Sequence, residues 1–204
     1  TTIIDVGSNV GSVALPLSKF FNKSFIFAIE PTVYAYKKLK KNINLNLNLK
    51  KRIKALNYFI SNKNSKVKYA HSSWNFNKRN KRHSIHLGSL KKITQNNTIS
   101  LDKLIAKENR KIHFIKIDVD GYELDVLKSA AKSIKKFKPI IHIEFAPYLH
   151  SEFGYSTNNL ISFIENKIKY KFYSEDLKKI ENIKNYVKKI KNRSENFFLI
   201  NKKF

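Results

Sequence analysis

The sequence predicts an α/β domain whose mostly parallel sheet carries helices on both faces. Two observations predict it. Short, nearly continuous apolar runs alternate with stretches of helical periodicity along the chain, the pattern of strands buried on both faces and joined by helices. The scarce acids Asp5, Glu30, Asp118, Asp120, Glu123 and Glu144 sit at or just past the ends of these runs. Ligands on such sheets bind beyond the carboxyl ends of the strands, near the switch in strand order.

Each element follows in order. Thr2–Val6 is a buried strand ending in a glycine turn. Residues 11–21 form a helix with Val13, Leu17 and Phe20 or Phe21 on one face. Ser24–Ile29 is a second strand, closed by Glu30–Pro31, and Tyr36, Leu39 and Ile43 then recur at helical spacing. Residues 53–60 read as a third strand, and 66–69 as part of a hairpin. Residues 71–97 read as an irregular loop or insertion holding the only Trp, Trp74, with His71, His83, His86 and the basic run Lys78–Arg82. A short helix around Leu101 and Leu104 leads to a fourth strand, 112–117. Leu124, Leu127, Ala131 and Ile134 mark the next helix, and 139–145 a fifth strand. A helix over 158–168, a strand over 170–173, a helix spaced on Leu177, Ile180, Ile183, Val187 and Ile190, and a strand over 197–200 complete the chain.

The length suits a single domain over residues 1–204. The sequence starts without Met and contains none, so it reads as a piece of a longer chain. No apolar run is long enough to span a bilayer, and a cytoplasmic location is expected. Without cysteine there is no disulfide, thiolate nucleophile or thiolate zinc site. The formal charge of +26 suggests an anionic partner. However, 36 of the 41 basic residues are Lys, and 23 Asn accompany them. Specific nucleic-acid contacts lean on Arg, so the charge reads better as compositional drift. Yet no Asp or Glu occurs between Pro31 and Leu101, and drift does not place the acids at strand tips.

Three motifs carry chemistry. In Asp5-Val6-Gly7-Ser8-Asn9-Val10-Gly11 a strand enters a glycine turn that opens a helix, where free N–H groups suit an anionic ligand group. Glu30, 23 residues past Gly7, is placed to accept both hydroxyls of an adenosine ribose. Asp118-Val119-Asp120-Gly121-Tyr122-Glu123 puts carboxylates at the tip of the fourth strand.

With these residues in place, the chain resembles the FkbM family of S-adenosylmethionine-dependent methyltransferases. The resemblance rests on IIDVGSNVG at 3–11, AIEP at 28–31, KKNINLN at 40–46, FIS at 59–61, SLDKL at 100–104, FIKIDVDGYELDVLKSA at 114–130 and PIIHIEF at 139–145. Asp120 and Ser129 stand where the family usually has Glu and Gly, and Ser100 where Thr is usual. The resemblance implies the Rossmann-like class I methyltransferase fold, with a seven-stranded sheet, and for most members O-methylation of sugars or natural products. It implies that Asp5, Gly7, Ser8, Asn9 and Gly11 hold the methionine end of S-adenosylmethionine, that Glu30 and Pro31 hold the ribose, and that Ser61 and Asn62 lie near the adenine.

The expected acceptor is a hydroxyl of a sugar, glycan or small metabolite. Such a nucleophile needs a base, for which Asp118, Asp120 and Glu144 are the candidates; Asp118 also faces the cofactor. His142, within a strand, reads rather as a core histidine. The same carboxylates suit a divalent cation, but a base without metal is preferred. Alternatives are a nucleic-acid methyltransferase, disfavoured because no Asn-Pro-Pro-aromatic motif follows the fourth strand, a nicotinamide oxidoreductase, disfavoured by the glycine spacing, and a non-enzymatic domain binding polyanions or membranes.

Overall fold

The structure of the chain is a computed structural model. It describes residues 1–62, 69–72, 89–92, 97–190 and 193–201, with backbone alone for 69–72 and 89–92. Trp74, His83, His86 and the basic run 78–82 lie outside the described residues.

The first half contains β1 (Thr2–Val6), α1 (Ala14–Phe20), β2 (Phe25–Ile29), α2 (Val33–Leu45), α3 (Leu47–Lys50), β3 (Ile53–Leu56), β4 (Phe59–Ile60), β5 (Tyr69–Ser72) and β6 (Ser89–Lys92). There follow β7 (Thr98–Ile99), α4 (Leu101–Glu108), β8 (Phe114–Ile117), α5 (Glu123–Ser129), α6 (Ala131–Phe137), β9 (Ile140–Phe145) and α7 (Pro147–His150). The last elements are α8 (Thr157–Ser162), β10 (Tyr170–Tyr173), α9 (Ile183–Lys188) and β11 (Glu195–Asn201). A π-helical turn, Phe163–Lys167, prolongs α8.

Among the described residues seven strands form one sheet in the order β10-β11-β9-β8-β1-β2-β3. All neighbours pair in parallel except β11, which is antiparallel to both β9 and β10. The order reverses at β1, between β2 and β8, which is where a ligand cleft forms in this architecture. Alternate residues of each strand face opposite helical layers. Ile4, Val6, Phe27 and Ile29 join the larger core with α4, α5 and α8, whereas Ile3, Ile26, Ala28 and Ile53 pack with Ala14, Leu39 and Ile43 of α1 and α2.

Several local expectations are corrected. The strand expected over 53–60 splits in two, because the Asn57 side chain donates to the carbonyls of Glu30 and Pro31 at 2.8 and 3.1 Å. β3 stays in the main sheet, and β4 pairs instead with β7. The hairpin near residue 69 pairs Tyr69–Ser72 with Ser89–Lys92, so part of the 71–97 stretch is strand. In α1 the buried face is Ala14 and Ser18, while Phe20 and Phe21 are exposed. The helix expected from Leu177 to Ile190 shrinks to α9, with exposed Leu177 in a left-handed turn.

The three departures from the family pattern have local roles. Ser100 caps α4 by accepting from the Lys103 N–H at 3.3 Å. Ser129 Oγ accepts from the Leu101 N–H and donates to the Val126 carbonyl. Asp120 takes the left-handed backbone that turns β8 toward α5.

Candidate active site

A cleft of about 870 Å³, counted out to open solvent, lies at the carboxyl ends of β1, β2 and β8. Gly7, Ser8, Asn9, Glu30, Pro31, Asp118 and Asp120 line it. Ser12 and Val13 at the start of α1 line it too, as does an apolar wall of Tyr58, Phe59, Ile60, Val119, Tyr122 and Val126. Of the residues expected to hold the cofactor, Asp5, Gly11, Ser61 and Asn62 do not line the cleft. Asp5 is fully buried, Gly11 packs toward Leu39, Ser61 is buried, and Asn62 donates to the Lys128 carbonyl. The wall just before Ser61, from Tyr58 to Ile60, was not expected as lining, although FIS at 59–61 entered the resemblance; three consecutive large apolar residues at the end of a strand were its signal.

The glycine turn differs in one respect from expectation. The N–H groups of Gly7 and Ser8 donate to the Ile29 carbonyl, and that of Asn9 to Glu30 Oε2 at 3.0 Å. They stitch β1 to β2 rather than pointing freely into the cleft. At the start of α1, Ser12 and Val13 line the cleft with N–H groups that have no protein acceptor among the described residues. Gly7 has φ +85°, and an added Cβ would lie 1.8 Å from the Asp118 carbonyl oxygen, so only glycine permits this approach of β1 and β8.

Glu30 is almost fully buried, and burial raises its pKa above the ordinary carboxylate value. Its Oε1 accepts from the Thr32 N–H and hydroxyl at 2.8 and 2.5 Å, and its Oε2 from Asn9. A carboxylate offers about four acceptor positions. Three are taken, leaving room for one ribose hydroxyl on Oε2 rather than two.

Asp118, Asp120 and Glu144 converge at the tips of β8 and β9, each offering an oxygen within 4.8 Å of the others. Such a trio can hold a proton or a divalent cation. Lys116, which sequence reasoning missed, organises it. Its Nζ lies 2.9 Å from Asp118 Oδ2 and 3.7 Å from Asp5 Oδ1. The parallel register of β1 and β8 sets Asp5 beside Lys116. Burial alone would lower the lysine's pKa, but the Asp5 and Asp118 carboxylates hold it above the ordinary value. Burial likewise acts to raise Asp118, yet the Lys116 ammonium keeps it below the usual carboxylate range. Glu144 is pushed up to about 8 by burial and by the Asp118 charge. The trio therefore holds an ionised Asp118 beside a Glu144 that keeps its proton at neutral pH. His142, opposite Lys116 on β9, is half-buried, edge-on to Phe198, and 3.7 Å from Glu175.

A second buried group lies beneath the Asp120–Gly121 turn. Glu123 Oε1 accepts from the Gly121 N–H at 2.9 Å, and Tyr155 Oη lies 3.0 Å from Oε2. His150 Nε2 is 3.8 Å from the same oxygen. Burial pushes Glu123 up to about 7 and His150 down to about 4. The folded pKa of Glu123 exceeds its ordinary 4.5, so the folded state keeps a proton that the unfolded chain releases. Its stability penalty therefore grows as pH rises from about 4.5 to about 7 and is constant above that. Glu123→Gln keeps the acceptor for Gly121 and lets Tyr155 donate to the Gly121 carbonyl, 2.9 Å away. Relative to the variant, the native protein is expected to lose about 3 kcal/mol across that window. Urea unfolding of both proteins from pH 4 to 8 measures the difference; parallel curves would refute it.

With this geometry established, the likeness to solved structures defines the class. The methyltransferase FkbM from Methylobacillus flagellatus KT superposes with a TM-score of 0.56 at 18% identity, over 97% of this chain and 43% of that one. Precorrin-6y C5,15-methyltransferase from Geobacter metallireducens GS-15 gives 0.52 at 8% identity, over 98% and 79%. An S-adenosylmethionine-dependent methyltransferase from Aquifex aeolicus gives 0.50 at 13% identity, over 98% and 81%. The domain has the class I methyltransferase fold. The family model of the methyltransferase FkbM domain matches residues 5–172, and the chain belongs to that family. It spans less than half the length of the Methylobacillus protein. No curated protein matches it. Family and fold imply S-adenosylmethionine as methyl donor. The residues present fit that group: unpaired N–H groups for a carboxylate at Ser12 and Val13, one open acceptor on Glu30, and an apolar wall for a base. Among the described residues, no helix is long and apolar enough to cross a membrane.

Proposed function

We propose that the domain transfers the methyl group of S-adenosylmethionine to a hydroxyl of a sugar, glycan or small metabolite. The observation that carries this reading is the carboxylate trio at the tips of β8 and β9, two of whose members open onto the same cleft as the glycine turn. The cofactor supplies an electrophilic methyl on a sulfonium. Ser12 and Val13 bind its carboxylate, Glu30 takes one ribose hydroxyl, and Tyr58–Ile60 with Tyr122 flank the base.

The enzyme's remaining work is to align the acceptor and accept its proton. Glu144 is the proton acceptor, because a base of pKa near the working pH is the most effective. Asp118, fixed in its ionised form by Lys116, and Asp120 orient the acceptor and offset the donor's positive charge. A divalent cation is not required in this reading, since the Lys116 ammonium already compensates the charge of Asp118.

The test is methyl transfer to a panel of glycans, polyols and RNA, with and without chelator. Transfer to hydroxyl acceptors unaffected by chelation is expected. Transfer confined to RNA, or abolished by chelation, would overturn the acceptor or the base assignment respectively. Cofactor affinity provides a separate check. Glu30→Ala is expected to weaken S-adenosylhomocysteine binding by the roughly 1.5–3 kcal/mol of one charge-assisted hydrogen bond, with a further loss as the Asn9 N–H is released.

A further inference from the structure

A groove of about 1860 Å³, counted out to open solvent, lies far from the cleft. Its lining includes Lys128, Lys132, Lys135, Lys138, Lys167 and Lys169, and no acidic residue. Ala131, Phe163 and Ile168 give it an apolar floor. Among the described residues none of the six lysines forms an ion pair. Lys169 directly precedes β10, Lys138 lies two residues before β9, and Asn201, also in the lining, is paired with Tyr170 at the start of β10. The groove therefore sits at the amino end of these strands. Asp118, Asp120 and Glu144 sit at the carboxyl ends, so the two charge clusters lie at opposite ends of the sheet.

Helix-end electrostatics account for only part of the cluster: Lys128, Lys135 and Lys167 stand in last turns. Lysines in the last turn of a helix complement its dipole, but Lys132 stands in the first turn of α6, where a cation is disfavoured. Lys138 and Lys169 take left-handed backbone conformations, at φ 49° and 61°, where glycine or asparagine is less strained.

We propose that this groove docks the domain onto an anionic phospholipid surface. Lysines provide compact charges on apolar stems, which lie along the Phe163 and Ile168 floor while their ammonium groups meet lipid phosphates. The groove has no arginine to chelate phosphate, and its one ring, Phe163, is half-buried in the floor, whereas single-stranded nucleic acid favours a row of exposed rings. An extended anionic surface also acts on the molecule as a whole. It attracts the lysine end and repels the acidic end, leaving the methyl-transfer cleft turned away from the lipid.

The test compares two triple variants on vesicles of equimolar phosphatidylserine and phosphatidylcholine. One variant is Lys132→Ala, Lys135→Ala, Lys138→Ala. The other is Lys37→Ala, Lys41→Ala, Lys50→Ala, which removes the same charge from exposed positions elsewhere. Each surface lysine near an anionic bilayer is worth about fivefold in binding, so the groove variant is expected to lose roughly a hundredfold. The other variant is expected to lose much less. Circular dichroism checks that both are folded. Equal losses would show that diffuse net charge alone drives binding and would overturn the groove. Tighter, lysine-dependent binding of the same groove to single-stranded RNA would reassign it to nucleic acid.

Discussion

Glu144→Gln is expected to slow methyl transfer by about 10²–10⁴-fold, the usual scale of a lost general base, while leaving cofactor affinity nearly intact. Glutamine keeps the shape of the side chain on β9 but cannot take a proton. The pH profile separates this role from a structural one. With its pKa at about 8, Glu144 is protonated at neutral pH and gains base form as pH rises. The native rate should therefore climb through about pH 8 and then level, and the variant should lose that limb. Asp118→Asn should also slow transfer but should keep the limb and move it to lower pH, since the Asp118 charge helps to raise Glu144. The measurement is kcat against pH for both variants. If Glu144→Gln keeps near-native turnover, the proton leaves by another route, and Asp120 is the next residue to change.

Gly7→Ala is expected to abolish cofactor binding and to destabilise the fold. Two costs add at this residue. The left-handed backbone disfavours a side chain by about 1–2 kcal/mol. The methyl would overlap the Asp118 carbonyl oxygen, so β1 and β8 must separate, and overpacking of this kind costs about 1–3 kcal/mol. Separation also moves Asp118 relative to the glycine turn, so the two sides of the cleft lose their register. Calorimetry with S-adenosylhomocysteine and thermal unfolding measure the two effects. Gly11→Ala provides a contrast. Its Cβ would meet the Leu39 side chain at 2.9 Å, which can shift, so a smaller loss of affinity is expected there even though the backbone is also left-handed.

Much of this architecture was legible in the chain because buried parallel strands leave continuous apolar runs. TIIDV, SFIFAI, IHFIKI and PIIHIEF each mark a strand of the main sheet, although the described strands begin up to two residues later. What escaped sequence reasoning depends on tertiary pairing. The break at Asn57 arises from side-chain bonds to carbonyls 26 and 27 residues away, which no local pattern reveals. The 177–190 periodicity misled because its first part forms a turn, in which Tyr173 bridges Lys179. At the site, Asp118, Asp120 and Glu144 were found from strand-tip position alone and the fold brings them together. Lys116 was not, because a lysine inside an apolar run gains meaning only when the β1–β8 register sets it beside Asp5. Glu123 was visible as an acid, but its burial with Tyr155 and His150 rests on a segment folded back from about 30 residues away.

The short parallel pairing of β4 with β7 has a consequence for how such a domain diversifies. Phe59 faces Thr98 and Ile60 faces Ile99, so two points far apart in the sequence are held side by side. The hydrogen bond from the Ser61 N–H to the Ile99 carbonyl closes that neck. Whatever is carried between the two points can be lengthened, shortened or exchanged at little thermodynamic expense, since halving or doubling a closed loop alters its closure free energy by only about 0.6 kcal/mol. The neck borders the apolar wall of the cleft through Phe59 and Ile60. A recombination event confined to the residues between the two points would thus leave the seven-stranded sheet and the glycine turn inherited unchanged.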